Sequence, residues 1–340
     1  MHEQDSFDIE IIAHRLQLRL RTGHHTILLL GSRAGALYRS NLHRELEKVS
    51  LSNLNAISSS KRFEACYHIL LGPRFQFSET ELHQILGTTL QEVEFSSSDF
   101  GLADLVQQGY FNKIITTNID DTLERVFHMS DVKDLDIIGG NRTQIPGSSV
   151  YRSRYQLIKL FGDLGSRDYT LKERAKYILE KKEIKEYFQD LLHGDVLMIG
   201  VDPLWDEALI HLIPFEGGTL WFVDEECPDE QSSLGKLLRE RHAQCVSGIA
   251  GNYEHFMFML YQYLCRSSPF NYKLGRDLLN HMDKIKKSIE TLEVHVEEMR
   301  ESIQEIIIAQ NRIFEAIEVN KKEVLDFLQK EQDDDSLGSH

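Results

Sequence analysis

Thr26-Ile27-Leu28-Leu29-Leu30-Gly31 decides the fold. Ile27 to Leu30 are apolar at every position, with no alternation, so both faces of the segment must be covered. That is the pattern of a central strand in a parallel sheet, with helices on either side. The glycine stops the run and opens a small polar turn, Ser32-Arg33-Ala34-Gly35. Working outward, similar runs recur at Lys113–Thr117 (KIITT), Gln156–Leu160 (QLIKL), Val196–Ile199 (VLMI) and Thr219–Val223 (TLWFV). Helical patterns fill the intervals, notably about 60–110, 170–192 and 205–213. Ahead of them, Ser6 can cap an amphipathic helix that runs to about Arg21, with Ile9, Ile12, Leu16 and Leu20 on one face. Strand and helix alternating at this spacing predict an α/β domain over residues 1–266, a Rossmann-like parallel sheet with flanking helices.

In such sheets the ligand lies outside the carboxyl ends of the strands. Gly31-Ser32-Arg33-Ala34-Gly35, Asn118-Ile119-Asp120-Asp121, Phe161-Gly162-Asp163, Gly200-Val201-Asp202 and Asp224 fall there. Small, polar and acidic residues at so many strand ends describe a ligand crevice. Common motifs do not name its ligand. The Gly31 turn lacks G-K-[ST], and G-S-R-A-G-A does not complete G-x-G-x-x-G. Neither H-E-x-x-H nor G-x-S-x-G occurs.

Composition removes several classes. The 340 residues carry 54 acidic and 38 basic side chains, a formal charge of −16, which disfavours direct nucleic-acid binding. No apolar run approaches the roughly 20 residues of a membrane span, and MHEQDSFDIE does not read as a signal peptide. Cys66, Cys227, Cys245 and Cys265 are scattered without a C-x-x-C pair. They read as reduced thiols of a cytoplasmic protein, and no zinc or other metal site is expected.

Past Ser267-Ser268-Pro269 the period changes. A linker at 267–274 leads to Met282, Ile285, Ile289, Leu292, Val296, Met299, Ile303, Ile306, Gln310, Ile313, Ile317, Asn320, Val324 and Phe327, spaced 3, 4, 3, 4 throughout. This heptad seam, with Met282 at an a position, predicts a coiled coil over 275–330 that joins copies of the chain or binds a partner. Ile at a and at d leans away from a simple dimer, and Gln310 and Asn320 would fix register. The acidic tail, 331–340, reads as disordered.

Five segments in order resemble the sirtuin-like family, specifically its zinc-less branch from prokaryotic anti-phage defence systems. They are Thr26–Ala36 (TILLLGSRAGA), Ile114–Glu124 (IITTNIDDTLE, against T-T-N-x-D-x-x-x-E), Lys159–Asp163 (KLFGD, against K-L-H-G-D), Val196–Asp206 (VLMIGVDPLWD) and Gly248–Tyr263. The resemblance covers about residues 1–266. It implies a pocket for NAD built from Gly31, Ser32, Arg33, Thr117, Asn118, Asp163, Gly200 and Asp224, without zinc. It also implies cleavage of the nicotinamide–ribose bond, with Asn118 and Asp120 as the catalytic candidates.

Three departures bear on that chemistry. Phe161 stands where the family has its histidine, and a phenyl ring accepts no proton. Arg33 replaces the second glycine of the turn, where it fills space or pairs with a phosphate. Asp202 brings a carboxylate to a strand end where the family has small hydroxyl residues, and it would repel a diphosphate. His24, His25, His193 and His211 lie away from the crevice in this reading. Asp163 or Asp120 could act as base only if burial raised its pKa. Asn118 and Asp120 also suit a plainer role, capping a helix that starts near Asp121.

The first expectation is a non-catalytic, sirtuin-like pseudoenzyme, a homo-oligomeric scaffold or regulatory subunit working with a second defence-system protein. The alternatives are an NAD hydrolase with an unconventional base and a sensor of an NAD-derived nucleotide.

Overall fold

The computed structural model describes residues 3–50, 53–91, 93–139, 153–171 and 181–265, together with positions 295, 296, 299, 300, 302–304, 307 and 310. Seven strands make one parallel sheet: β1 (Ile27–Leu30), β2 (Lys113–Thr116), β3 (Leu135–Gly139), β4 (Tyr155–Lys159), β7 (Val196–Ile199), β8 (Leu220–Val223) and β9 (Gln244–Val246). Their order is β3-β4-β2-β1-β7-β8-β9. A separate antiparallel pair joins β5 (Gly162–Asp163) to β6 (Asp168–Tyr169). This is a Rossmann-like α/β architecture.

The helices are α1 (Glu3–Thr22), α2 (Ala36–Arg39), α3 (Leu42–Ser50), α4 (Ser59–Leu71), α5 (Glu79–Gln91), α6 (Ser97–Gln107), α7 (Thr122–Met129), α8 (Lys182–Leu192), α9 (Glu207–Ile210), α10 (Ser233–Glu240) and α11 (Tyr253–Leu264). Side chains alternate across a strand, and here both faces are covered. Ile27, Leu29, Ile115, Met198 and Phe222 share a core with α3, α4, α5, α8, α9 and α10. Leu28, Leu30, Ile114, Leu197 and Trp221 point to the other face and are fully buried or nearly so. On that side α11 packs against α1 and α6, and the guanidinium of Arg19 lies 4.5 Å from the Trp221 ring centre. The unbroken apolar run of β1 is thus explained by two covered faces.

Several local expectations change. The first helix begins by Glu3, so Ser6 lies inside it and does not cap it. The helical stretch at 60–110 is three helices, α4 to α6, and the one at 205–213 shrinks to the single turn of α9. Strands β3 and β9 carry no sequence signal because they are the sheet edges. Ile137 of β3 is half exposed, and Gln244 and Cys245 of β9 face solvent.

The chain divides into two compact units, Met1–Gly275 and Arg276–His340. In the second, the described positions between His295 and Gln310 are helical and exposed. The linker at 267–274, the remainder of the heptad segment 275–330 and the tail 331–340 lie outside the described residues. Among the described residues, no helix is long and apolar enough to cross a membrane.

Candidate functional site

Strand order places the crevice. From β1 the chain builds β2, β3 and β4 on one side, then crosses to lay β7, β8 and β9 on the other. The carboxyl ends of β1 and β7 therefore flank the point where the winding reverses, the usual ligand position of an open α/β sheet. Here the two ends are pressed together. Gly200 has φ +65, and a Cβ on it would lie 2.5 Å from the Ala34 amide nitrogen, so only glycine fits.

A glycine turn binds phosphate through amides that have no other partner. In this turn every amide from Gly31 to Gly35 is already used. Gly31 N donates to Ile199 O, Ser32 N to an Asp206 oxygen, Arg33 N to Gly200 O, Ala34 N to Gly31 O and Gly35 N to Ser32 O, at 2.9 to 3.2 Å. The Arg33 side chain is engaged as well. Its Nε donates to Asp202 at 2.9 Å and its Nη1 to Asp224 at 2.8 Å. Both carboxylates are 2% exposed, and Glu226 lies 3.8 Å away. Burial works against the guanidinium, but Asp224 and Asp202 outweigh it and hold its pKa above the ordinary value. Burial pushes Asp224 up to about 6, against the pull of Arg33. The glycine turn and Arg33 thus leave no nest and no free cation for a diphosphate. The residues present do not fit the diphosphate of NAD at this turn.

Asp206, missed as a site residue from sequence, is fully buried. One of its oxygens accepts from Ser32 N, Ser32 Oγ and Asp202 N at 2.9, 3.0 and 2.7 Å, stapling the turn after β1 to the loop after β7. Burial raises its pKa to about 7, opposed by those donors and by the Thr117 hydroxyl. Thr117 itself is buried, and its amide donates to Leu30 O at 3.2 Å.

The loop after β2 carries Asn118 and Asp120, both nearly buried. Asn118 Nδ2 donates to Gly31 O at 3.3 Å. Its side chain fills the space a Cβ on Gly35 would need, 2.0 Å from Asn118 Oδ1. Asp120 accepts from Thr122 N at 3.1 Å, so it caps the start of α7, while Asp121 at the N-cap position makes no capping hydrogen bond and pairs with Arg125 at 3.7 Å instead. Beneath the loop is Lys159, 1% exposed, at the end of β4. Its Nζ donates to Asp120 O and Asp163 Oδ1 at 2.8 Å and to Glu124. Burial lowers its pKa, and Glu124 with Asp163 more than restores it, so it stays charged. Asp163 suffers the burial cost too, yet its bonds from Lys159 and Ser166 hold it below the ordinary value. It is therefore not a raised, base-like carboxyl. Phe161, two residues before it, is 4% exposed and packs in the core shared with α5 and α8.

The four histidines set aside from sequence, His24, His25, His193 and His211, are exposed. Asn118, Arg33, Gly31, Ser32, Gly200, Thr117 and Asp224 converge on one crevice, whereas Asp163 belongs to the Lys159 cluster below it.

Beside the crevice opens a cavity of about 610 Å³, walled by Arg33, Tyr38 and Arg39 on one side, His43, Arg44 and Arg62 on another, and Asp224, Asn252 and Tyr253. Most of these residues carry no sequence signal. Arg39 donates to Asp99 at 2.9 Å, and the buried Tyr253 hydroxyl donates to the other Asp99 oxygen at 3.0 Å. Arg44 of α3 and Arg62 of α4 give this wall two cations, and burial, with those arginines nearby, pushes His43 below its ordinary pKa. Among the described residues, no group of three or more His, Cys, Asp or Glu is placed to hold a metal ion.

No family model matches the chain, and no curated protein matches it. Among solved structures it is similar to one described as "Structural Basis for the Mechanism and Regulation of Sir2 Enzymes", at 11% identity and a TM-score of 0.36, over 76% of this chain and 98% of that one.

Proposed function

We propose that this chain is a sirtuin-like pseudoenzyme, a scaffold or regulatory subunit of the kind its motifs imply for prokaryotic anti-phage defence. One observation carries the reading: the turn after β1 has no amide to spare, and Arg33 is bound by Asp202 and Asp224. The rest of the crevice agrees. The position of the family's histidine is a buried phenyl ring, and Asp163 is held ionised by Lys159. Of the motif residues, Glu124 and Asp163 both bind Lys159, and the three act as scaffold. Residues 275–330 join copies of the chain as a coiled coil, and a second defence protein is the partner the resemblance implies.

Incubating the purified chain with NAD and following free nicotinamide tests this. No release above the blank is expected. Steady release that Asn118→Ala abolishes would overturn the reading in favour of an NAD hydrolase.

The cavity with its cationic wall favours a second reading, a sensor that holds an NAD-derived nucleotide without turnover. Saturable binding of ADP-ribose, weakened by Arg44→Ala or Arg62→Ala and without product, would select it.

A further inference from the structure

The four cysteines of the chain divide by exposure. Cys66 and Cys265 are buried, whereas Cys227 and Cys245 are exposed. Burial pushes the Cys66 thiol up to about 12, and the Cys265 sulfur accepts from Gln108 Nε2 at 3.2 Å. An oxidant in solution therefore meets two thiols, and the fold brings those two to one corner of the sheet.

The sheet register does the placing. β8 and β9 run parallel with Phe222 beside Cys245, and residues paired across a ladder project from the same face. Phe222 packs in the core that holds Leu234, Leu237 and Leu238 of α10. Cys245 thus stands on the α10 face, at the edge of the sheet. The chain leaves β8 at Val223 and must cross to that same face to begin α10 at Ser233. Cys227 lies on this crossing. Two bonds hold the start of the crossing against β9: Asp224 N donates to Val246 O at 3.2 Å, and Gly248 N to Glu225 O at 3.0 Å. Cys227 comes two residues later. Partial burial raises the pKa of Cys245, and the proximity of Cys227 raises it further.

We propose that Cys227 and Cys245 are a modification site, at which hydrogen peroxide makes a reversible disulfide that ties the loop after β8 to β9. One sulfur attacks a peroxide oxygen, the O–O bond breaks, and a sulfenic acid and one water form. The second sulfur then displaces the hydroxyl as another water and closes the S–S bond.

The position of the pair gives it a consequence. Between β8 and Cys227 the loop carries Asp224, which holds Arg33, Glu225, which accepts from Asn252, and Glu226, which accepts from Ser60. Asp224 and Glu225 also wall the cavity. A covalent tie at Cys227 restrains all three carboxylates, and so reports the redox state of the surroundings to the crevice.

Treating the full chain with hydrogen peroxide and mapping its peptides without reduction tests the site. The expected product is a single chain lighter by two hydrogens, with the Cys227 and Cys245 peptides joined and both thiols restored by dithiothreitol. Chains linked to one another, or sulfinic acid at either position without a link, would overturn the pairing. Hydrogen exchange tests the consequence. Amides of residues 224–227 should exchange severalfold more slowly in the oxidised chain than in the reduced one, and Cys245→Ser should abolish that difference. A disulfide that leaves their exchange unchanged would overturn the restraint on the loop. Both positions are exposed, so Cys227→Ser and Cys245→Ser should match the reduced wild-type chain in urea midpoint. A link that still forms in either variant, through Cys66 or Cys265, would overturn the assignment.

Discussion

Arg33 and Asp206 answer the question of what the glycine turn does. Arg33→Ala removes the only cation between two carboxylates that are 2% exposed. Breaking a buried pair from one side costs about 3–5 kcal/mol, so a large drop in the urea midpoint is expected at pH 8. The loss should shrink towards pH 5, because Asp224 already titrates near 6 and its neutral form needs no partner. A deficit independent of pH would contradict the buried-pair assignment. Asp206 gives the opposite kind of test. Its folded pKa, about 7, stands above the ordinary 3.8, so between these values the folded chain holds a proton that the unfolded chain has lost. Stability from this group is therefore fullest below about 4 and is lost as pH rises through 7. Asp206→Asn should flatten that part of the stability–pH curve, as read from urea midpoints between pH 5 and 8; an unchanged slope would exclude the assignment. At this scale the sequence was half legible. Arg33 and Asp202 stood out as departures from a pattern, but their pairing did not, because two residues 169 apart meet only through the sheet order. Asp206 closed one of the resembling segments, Val196–Asp206, but its burial and its bonds to the Ser32 turn were not legible, because nothing local distinguishes a buried aspartate from a solvated one.

The T-T-N-x-D-x-x-x-E and K-L-F-G-D segments resemble catalytic motifs in sequence, yet three of their residues form a structural lock. Lys159, at the end of β4, gathers Glu124 of α7, Asp163 of β5 and the Asp120 carbonyl, and so positions the loop that carries Asn118. Lys159→Met keeps the bulk and removes the charge. It is expected to lower stability by about 3–5 kcal/mol and to speed amide exchange at residues 117–121, as followed by hydrogen exchange. A stable variant with unchanged protection of that loop would refute the lock. Central strands were readable because burial on both faces needs unbroken apolar runs, as β1 and β7 show. The edges β3 and β9 were not, since a half-solvated strand of three to five residues has no such run. Arg241 was equally silent. It donates to the carbonyls of Leu192, Pro214, Gly194 and Gly218 at the amino end of the sheet, a contact set created by packing alone.

For the whole molecule, the crevice belongs to the first of two units, Met1–Gly275, and the heptad segment to the second, Arg276–His340. The alternation of strands and helices predicted the first unit, because layer architecture follows from patterning. The cavity walled by α2, α3, α4 and the start of α11 was not foreseeable, because a cavity is the space left between elements. Whether the crevice accepts the dinucleotide its motifs suggest decides between a scaffold and an active or sensing domain. Calorimetric titration of the full chain with NAD measures this directly. The expected result is no saturable heat, with every turn amide and the Arg33 guanidinium already engaged. Saturable binding of one NAD per chain, lost on Asn118→Ala, would contradict it.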